Sequence, residues 1–354
     1  MTRFVVAKRL TTRGAGLGNE MIPWAKGFIA SQALNAHLVG PSWGLNQRRY
    51  YRNFGTSRFD FVSEAILRSL PVNAFTEDDY YSTGIVDYGA AIRSWAQNKR
   101  FSEKSHFVVT VGGMYGGYLA IASARSFLRS RLLNSRNALS NIFKVQSKLD
   151  RNKLLIAVHL RLAGDFSAAQ HGKDIRSQFN IKIPIQWYLG ICESLRKQFA
   201  SQVEFCFFTD KETPEYLELV SRYNPNQVRC RELSECSDLL LMASADLRVC
   251  SVSSYSLAAC YLSEGPYVWY EPQLHIDTGS YSLWGHEPRQ KESGSPTMAS
   301  SEHIGSSKGA ELSFRGHPSG TDCSLPDSLI ERLHVALADK DPRTDLARYG
   351  CYPL

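Results

Sequence analysis

Three short motifs contain the groups best suited to bind an anionic ligand. In Gly14–Glu20, three glycines alternate with other residues, so backbone amides are open to close approach by a ligand. The segment His159–Phe166 contains Arg161, whose planar guanidinium offers a rigid fork of N–H donors to a phosphate. The segment Ser251–Ser256 contains four serines, which add hydroxyl donors and acceptors. These residue types predict binding of a phosphate-bearing ligand.

Each motif follows the pattern of a β-strand and precedes the spacing of a helix. The run Phe4–Ala7 is rich in β-branched residues, and apolar residues then recur at helical spacing from Met21 to Leu34. The near-continuous apolar run Leu154–Arg161 is typical of a strand buried on both faces. Because strand and helix patterns alternate from there onward, we expect parallel sheets with right-handed crossovers. The carboxyl ends of such strands face the ligand crevice, and the motifs lie at those ends.

The other expected elements continue this alternation. Strands are predicted at 37–39, 107–111, 204–210, 227–230, 246–251 and 267–270. Helices are predicted at 61–70, 118–143, 184–199, 213–223, 236–245, 255–262 and 326–338. We therefore expect an N-terminal α/β domain at 1–150, a second Rossmann-like domain at 151–285, a polar loop at 286–325, and a C-terminal helix and tail at 326–354.

Composition narrows the class of protein. The chain has 354 residues, 43% hydrophobic and 21% charged, which excludes a mostly disordered chain, a collagen-like repeat and a coiled-coil rod. No run approaches the roughly 18 apolar residues that span a bilayer, and the start lacks an export signal, so we expect a soluble cytoplasmic protein. The net charge is +7 without a run of Lys or Arg, which favours a basic cleft over a nucleic-acid interface. The eight cysteines show no zinc-type spacing and are expected to be reduced, mostly buried thiols.

Several alternatives remain open for the three motifs. Asn19 stands where a dinucleotide fingerprint needs Gly or Ala, and no acid follows the second strand, so an NAD(P) site is disfavoured. The glycine segment also suits a tight turn without a ligand. Arg161 and Asp165 suit an ion pair with each other, and the serines suit an ordinary N-cap. The acidic pairs near 78 and 339 do not follow buried strands, so no catalytic metal is expected.

Taken together and in order, the motifs resemble those of the fucosyltransferase superfamily. The match is to bacterial and plant α-1,2-fucosyltransferases and, more distantly, to α-1,6- and protein O-fucosyltransferases. Gly16–Glu20 is similar to their Gly-Gly-x-Gly-Asn-Gln motif, and His159–Asp165 to their His-x-Arg-x-x-Asp motif. Phe207–Asp210 resembles a strand that ends in Ser/Thr-Asp. Asp238–Met242 and Ser253–Ala259 resemble the Asp-x-x-x-Met and Ser-Ser-Phe-Ser-Trp-Trp-Ala segments.

The resemblance implies a GT-B fold, with two Rossmann-like domains facing a cleft and the donor in the C-terminal one. It implies a metal-independent inverting glycosyltransferase that moves fucose from GDP-fucose to a hydroxyl of a glycan or glycosylated metabolite. Arg161 would hold the diphosphate and stabilise its developing charge. Glu20 is the first candidate for the general base and Asp165 the second. The implied donor-binding residues are Gly16, Gly18, Asn19, His159, Arg161, Thr209, Asp210, Asp238, Ser253, Ser254 and Ser256.

Departures from the family pattern keep other functions open. Glu20 replaces the usual Gln, one extra residue separates Arg161 from Asp165, and Leu257–Ala258 replaces a tryptophan pair. The alternatives are a transferase that uses another nucleotide sugar and a non-catalytic nucleotide-sugar or glycan-binding module. Acceptor choice is expected to depend on the segments 41–51 and 285–324, because such loops diverge on a shared fold.

Overall fold

The chain folds into two compact α/β units. The computed structural model describes residues 2–8, 15–41, 43, 47–55, 66–67, 72–101, 106–164, 166, 168, 181–228, 232–263, 265–273, 276–277, 280–281 and 316–340. One unit comprises Met1–Arg136 and Trp284–Glu311, and the other comprises Asn137–Leu283 and Leu312–Leu354. The expected α/β class with two parallel sheets is confirmed.

The first unit is built on a parallel sheet in the order β2-β1-β4-β3. Its apolar strands pack between helices, and Val5, Val6 and Ala7 of β1 are fully buried. Its strands are β1 Thr2–Ala7, β2 His37–Val39, β3 Val72–Ala74 and β4 His106–Val111. Its helices are α1 Leu17–Ala33, α2 Tyr51–Phe54, α3 Glu77–Ser82, α4 Tyr88–Asn98, α5 Gly117–Ala120 and α6 Arg125–Leu133, with a 3-10 turn at Ala122–Ala124.

The second unit is built on a parallel sheet in the order β11-β8-β7-β5-β6. Its strands are β5 Leu154–Leu160, β6 Val203–Thr209, β7 Leu247–Cys250, β8 Tyr267–Tyr270 and β11 Gly316–Ser319, beside a small antiparallel pair, β9 Ile276–Asp277 and β10 Ser280–Tyr281. Its helices are α7 Ala138–Gln146, α8 Ile185–Phe199, α9 Pro214–Tyr223, α10 Glu235–Ser244, α11 Ser254–Leu262 and α12 Asp327–Ala338.

The strand order of the second unit creates a topological switch point. The chain starts at β5, adds β6 on one side, and then adds β7, β8 and β11 on the other side. This is a doubly wound order, in which the sheet grows from its first strand to one side and then to the other. A crevice therefore opens between the carboxyl ends of β5 and β7, the place where such sheets bind ligands.

Three expected elements differ from the structure. The helix predicted at 118–143 is broken, because the chain turns at Asn134–Asn137 and Asn137 adopts a left-handed φ of 63°. The contact division falls at this break, and α7 packs with the second unit, where Asn141 donates to the Ser237 hydroxyl at 3.3 Å. Residues 227–228 do not form a strand. Instead, the Gln227 side-chain amide bonds the Phe207 N–H and C=O, both at 2.7 Å, in place of a neighbouring strand.

The third difference lies within the expected polar loop at 286–325, where Gly316–Ser319 forms β11. These residues pair in parallel with Tyr267–Tyr270 and extend the sheet. A Cβ atom at Gly316 would lie 2.3 Å from the Trp269 ring, so only glycine fits against these aromatic side chains. Pro318 is tolerated because β11 is an edge strand. Most of the helix predicted at 61–70 lies outside the described residues.

Candidate functional site

Arg161 lies just past the end of β5, where it pairs with Asp210 just past the end of β6. Its guanidinium donates to the Asp210 carboxylate. The same carboxylate accepts the Leu162 N–H at 2.8 Å and the Ala163 N–H at 3.2 Å. Asp210 therefore holds both the arginine and the backbone that follows it.

The Arg161 side chain stays reachable from solvent. It is 21% exposed, and its guanidinium carbon lies 5.1 Å from the centre of the Phe166 ring. Gly164 has a φ of +74°, and a Cβ atom there would lie 3.1 Å from the Arg161 Nη2 atom. The loop thus wraps closely around a cation that an anion can still approach from solvent.

A buried hydroxyl network crosses the switch point between β5 and β7. The His159 Nδ1 atom lies 2.7 Å from the Ser256 Oγ and 3.0 Å from the Ser251 Oγ. The Ser251 Oγ lies 3.1 Å from the Ser253 Oγ and from the Ser256 Oγ. This network fixes the end of β5 against the start of α11.

Burial keeps the imidazole of this network neutral. His159 is fully enclosed, and desolvation lowers its pKa to about 4, with Asp210 opposing and Arg161 adding to the shift. His159 and Ser256 are both buried, so they position neighbouring groups. Ser253 caps α11 by accepting the Ser256 N–H at 3.3 Å, which confirms the ordinary N-cap interpretation of that residue. Ser253 and Ser254 are half-buried at the helix start, where backbone N–H groups attract anions.

A cavity of about 300 Å³ lies at the carboxyl end of β6, beside the Arg161–Asp210 pair. Asp210 and Thr209 line it together with the starts of α9 and α10. Asp238 faces the cavity from α10, and burial raises the pKa of its carboxyl to about 7. The other main lining residues are Phe207, Phe208, Lys211, Glu212, Tyr216, Gln227 and Ser234. The cavity therefore combines aromatic walls with a carboxyl group that titrates near neutral pH.

The glycine motif lies in the first unit at the start of α1. Gly16 is its N-cap, and the Gly18 carbonyl accepts the Tyr118 hydroxyl at 2.5 Å. Glu20 is 1% exposed, and its carboxylate accepts the Ala15 N–H at 3.2 Å. This bond holds the residue before the N-cap against the first turn of α1, and the role of Glu20 as a base stays a prediction. Asn19 lies in the same first turn, whereas Asp165 lies outside the described residues.

Lys26 is a buried charged residue that lies outside the three sequence motifs. It is fully buried in α1, and its Nζ donates to the Gly112 carbonyl at 3.3 Å and the Gly113 carbonyl at 3.1 Å. The Nζ also lies 3.1 Å from the centre of the Tyr115 ring. Burial lowers its pKa well below the usual lysine value. The available signal was a single cation among the apolar residues of α1.

Other expectations concern cysteines, metals and membranes. The six cysteines in the described ranges are buried and not disulfide-bonded, as expected, with Cys230 and Cys351 outside those ranges. Within the same ranges, no three His, Cys, Asp or Glu side chains cluster as a metal site would need. Metal independence stays a prediction. None of the helices in the described part of the chain has the length and apolar character to cross a bilayer.

Comparison with solved structures gives several similar chains. No protein-family model matches the chain, and no curated protein matches it. The chain is similar to the fucosyltransferase NodZ from Bradyrhizobium, with 14% identity, coverage of 75% of this chain and 94% of that chain, and a TM-score of 0.43. It is also similar to NodZ α-1,6-fucosyltransferase soaked with GDP-fucose, with 14% identity, coverage of 77% and 96%, and a TM-score of 0.41. Neither is described as an α-1,2 enzyme, so that finer resemblance stays a prediction.

Proposed function

We propose that the chain is a glycosyltransferase whose second unit binds a nucleotide sugar, with GDP-fucose the first candidate. The observation that carries this proposal is the position of Arg161 at the switch point of a doubly wound sheet. A half-exposed helix start lies on one side of it and a cavity of about 300 Å³ on the other. A nucleoside diphosphate needs a cation and a helix N-terminus to bind its phosphates, and a cavity to hold its base. The choice of fucose rests on the motif resemblance.

The diphosphate is assigned to Arg161 and the start of α11. Arg161 supplies a fixed positive charge, and Ser253 and Ser254 supply hydroxyls at the start of α11, the positive end of a helix dipole. His159 stays neutral and holds these serines through Ser251 and Ser256. Its part is to position the anion-binding groups.

The nucleobase is assigned to the cavity beside Asp210. Guanine presents adjacent ring and amino N–H donors, and a carboxylate accepts such a pair with two oxygens. Asp238 is a half-buried carboxyl group on the cavity wall, and Phe207, Phe208 and Tyr216 supply flat apolar surface. Asp210 is committed to Arg161 and the backbone of 162–163, so it positions the arginine.

In the proposed transfer, an acceptor hydroxyl oxygen forms a bond to the anomeric carbon of the sugar. The bond between that carbon and the diphosphate oxygen breaks, and the diphosphate leaves with the electron pair. Arg161 and the α11 amides stabilise the negative charge that develops on the leaving group. The hydroxyl proton passes to a base, for which Glu20 and Asp165 remain the candidates.

Calorimetry with GDP, GDP-fucose, UDP and dTDP in EDTA tests the donor site, followed by a transfer assay. We expect saturable GDP binding that Arg161→Ala weakens at least about tenfold, as expected for loss of a charged phosphate contact. Arg222→Ala is the matched control, because Arg222 forms an exposed ion pair with Glu193 elsewhere in the second unit. Nucleotide binding that survives Arg161→Ala would overturn this site.

The second candidate is a non-catalytic nucleotide-sugar or glycan-binding module. It is favoured by Glu20, whose buried carboxylate accepts the N–H of Ala15 just before α1. In this case GDP-fucose binds and Arg161→Ala weakens that binding, but no acceptor is fucosylated. A screen of acceptor glycans with labelled GDP-fucose separates the two functions.

A further inference from the structure

Two long stretches of sequence without a carboxylate lie wholly or mostly in the first unit, and the second of them continues into α7 of the second unit. No Asp or Glu occurs from Met21 to Phe59 or from Lys104 to Leu149. The cations in these stretches include arginines at 48, 49, 52, 131 and 136. These five residues are exposed, and we name them the arginine surface.

Backbone and ring contacts bring the two stretches together. The Arg136 N–H donates to the Asn53 carbonyl at 2.7 Å, which fixes the end of the α6 segment against α2. Phe54 of α2 and Phe127 of α6 both pack edge-on against Trp24, at 5.0 and 5.7 Å between ring centres. Residues from both segments therefore share one side of α1.

Two arginines extend directly from these contacts. The Arg131 guanidinium carbon lies 5.3 Å from the centre of the Phe127 ring, so Arg131 covers the aromatic cluster. Arg49 has a left-handed φ of 60° in the turn that precedes α2, and its carbonyl accepts the Arg52 N–H at 2.9 Å. Tyr51 lies between Arg49 and Arg52 in the sequence and is 41% exposed. The surface thus combines several guanidinium groups with one accessible aromatic ring.

We propose that the arginine surface binds an acidic oligosaccharide, with the guanidinium groups on its carboxylates or sulfates and Tyr51 against a sugar ring. The guanidinium groups of the arginine surface are planar forks that match such groups through two parallel hydrogen bonds. A membrane surface is attracted by lysine and arginine alike. Tyr51, which is 41% exposed, provides a flat ring beside Arg49 and Arg52. The choice of a sugar partner rests on the proposed function, whereas the demand for an anion does not.

The test compares two triple variants at Arg49, Arg131 and Arg136. One changes all three to Gln, and the other changes all three to Lys and preserves the charge. Arg196→Gln/Lys197→Gln/Arg222→Gln is the control, since it removes three exposed charges from the second unit. Each protein is titrated with oligogalacturonate, a heparin-derived oligosaccharide, a neutral chito-oligosaccharide, phosphatidylglycerol vesicles and a single-stranded RNA.

We expect an acidic oligosaccharide to bind the unmodified chain, with affinity falling between about 50 and 200 mM salt. The Gln variant should lose at least about tenfold in affinity and the Lys variant at least about threefold, because lysine lacks the two-pronged geometry. The control should bind like the unmodified chain. Equal binding by the Lys variant, preference for vesicles or RNA, equal binding of the neutral sugar, or no binding would each overturn the inference.

GDP titrations of the same proteins separate this inference from the proposed function. Arg161→Ala should keep oligosaccharide binding while losing GDP binding, and the Gln variant should do the reverse. Oligosaccharide binding without any GDP binding would sustain this inference and reject the proposed donor. GDP binding without oligosaccharide binding would do the opposite.

Discussion

Arg161 and Asp210 form an ion pair across the carboxyl ends of the neighbouring strands β5 and β6. They are 49 residues apart in the chain, and both side chains are 21% exposed. The pair joins the arginine at the switch point to the wall of the adjacent cavity. A ligand that reaches both places would therefore meet an arginine that is already oriented.

Replacement of Asp210 should weaken nucleotide binding by way of Arg161. Asp210→Ala removes the ion pair and the acceptor for the Leu162 and Ala163 N–H groups, so we expect GDP affinity to fall about three- to tenfold. Asp210→Asn keeps an oxygen for those N–H groups and should lose less. Calorimetry measures both variants. If Asp210→Ala bound GDP as tightly as the unmodified chain does, the Asp210 carboxylate would only compete with the ligand.

GDP binding should strengthen as the pH rises through the pKa of Asp238. Burial raises this pKa to about 7, so the carboxyl is mostly protonated at pH 6 and mostly ionised at pH 8. Two guanine N–H donors favour the ionised form, which lowers its pKa in the complex. We expect affinity to rise about tenfold between about pH 6 and pH 8. Asp238→Asn, measured in the same buffers, corrects for titration of the phosphates and should give weaker binding with a flatter profile. An identical profile in this variant would remove Asp238 from the nucleobase site.

The residues around this site show what the sequence can and cannot predict. Strand ends and helix starts follow from local periodicity, so the positions of Arg161, Thr209 and Ser253 were predicted correctly. Pairings between distant segments have no local signature. Arg161 pairs with Asp210, 49 residues further along the chain, whereas its pairing with Asp165, which sequence proximity suggests, stays a prediction because Asp165 lies outside the described residues.

Two further features depended on contacts that are distant in the chain. Gly316–Ser319 lies in a polar segment and forms a strand because the edge of β8 supplies hydrogen-bonding partners. Gln227 satisfies the backbone of β6 with its side chain, which a β-pattern in the sequence does not distinguish from a strand. In both cases the sheet edge determined the structure of the added segment.

Acid should destabilise the second unit through His159. Its pKa is about 4 in the folded chain, against 6.5 for an ordinary histidine. The unfolded chain binds the proton first, so this stabilising contribution is present above pH 6.5 and is lost as the pH falls towards 4. Between pH 7 and 5 the loss is about 2 kcal/mol. Urea unfolding at both pH values should show this difference for the unmodified chain and a smaller one for His159→Asn, whose side chain does not titrate. Equal differences would mean that His159 titrates normally.

Lys26 should stabilise the first unit through hydrogen bonds to the end of β4. Lys26→Met keeps most of the side-chain volume but removes the donor to the Gly112 and Gly113 carbonyls and the cation beside Tyr115. We expect the free energy of unfolding to fall by about 2 kcal/mol, because two carbonyl groups lose a charged partner. Lys26→Ala should cost more, since it also leaves a cavity beside Tyr88 and Tyr115. Urea denaturation followed by tryptophan fluorescence measures both variants, and Lys144→Met, at an exposed lysine of α7, is the control. If Lys26→Met were as stable as the unmodified chain, hydrophobic packing alone would suffice at this position.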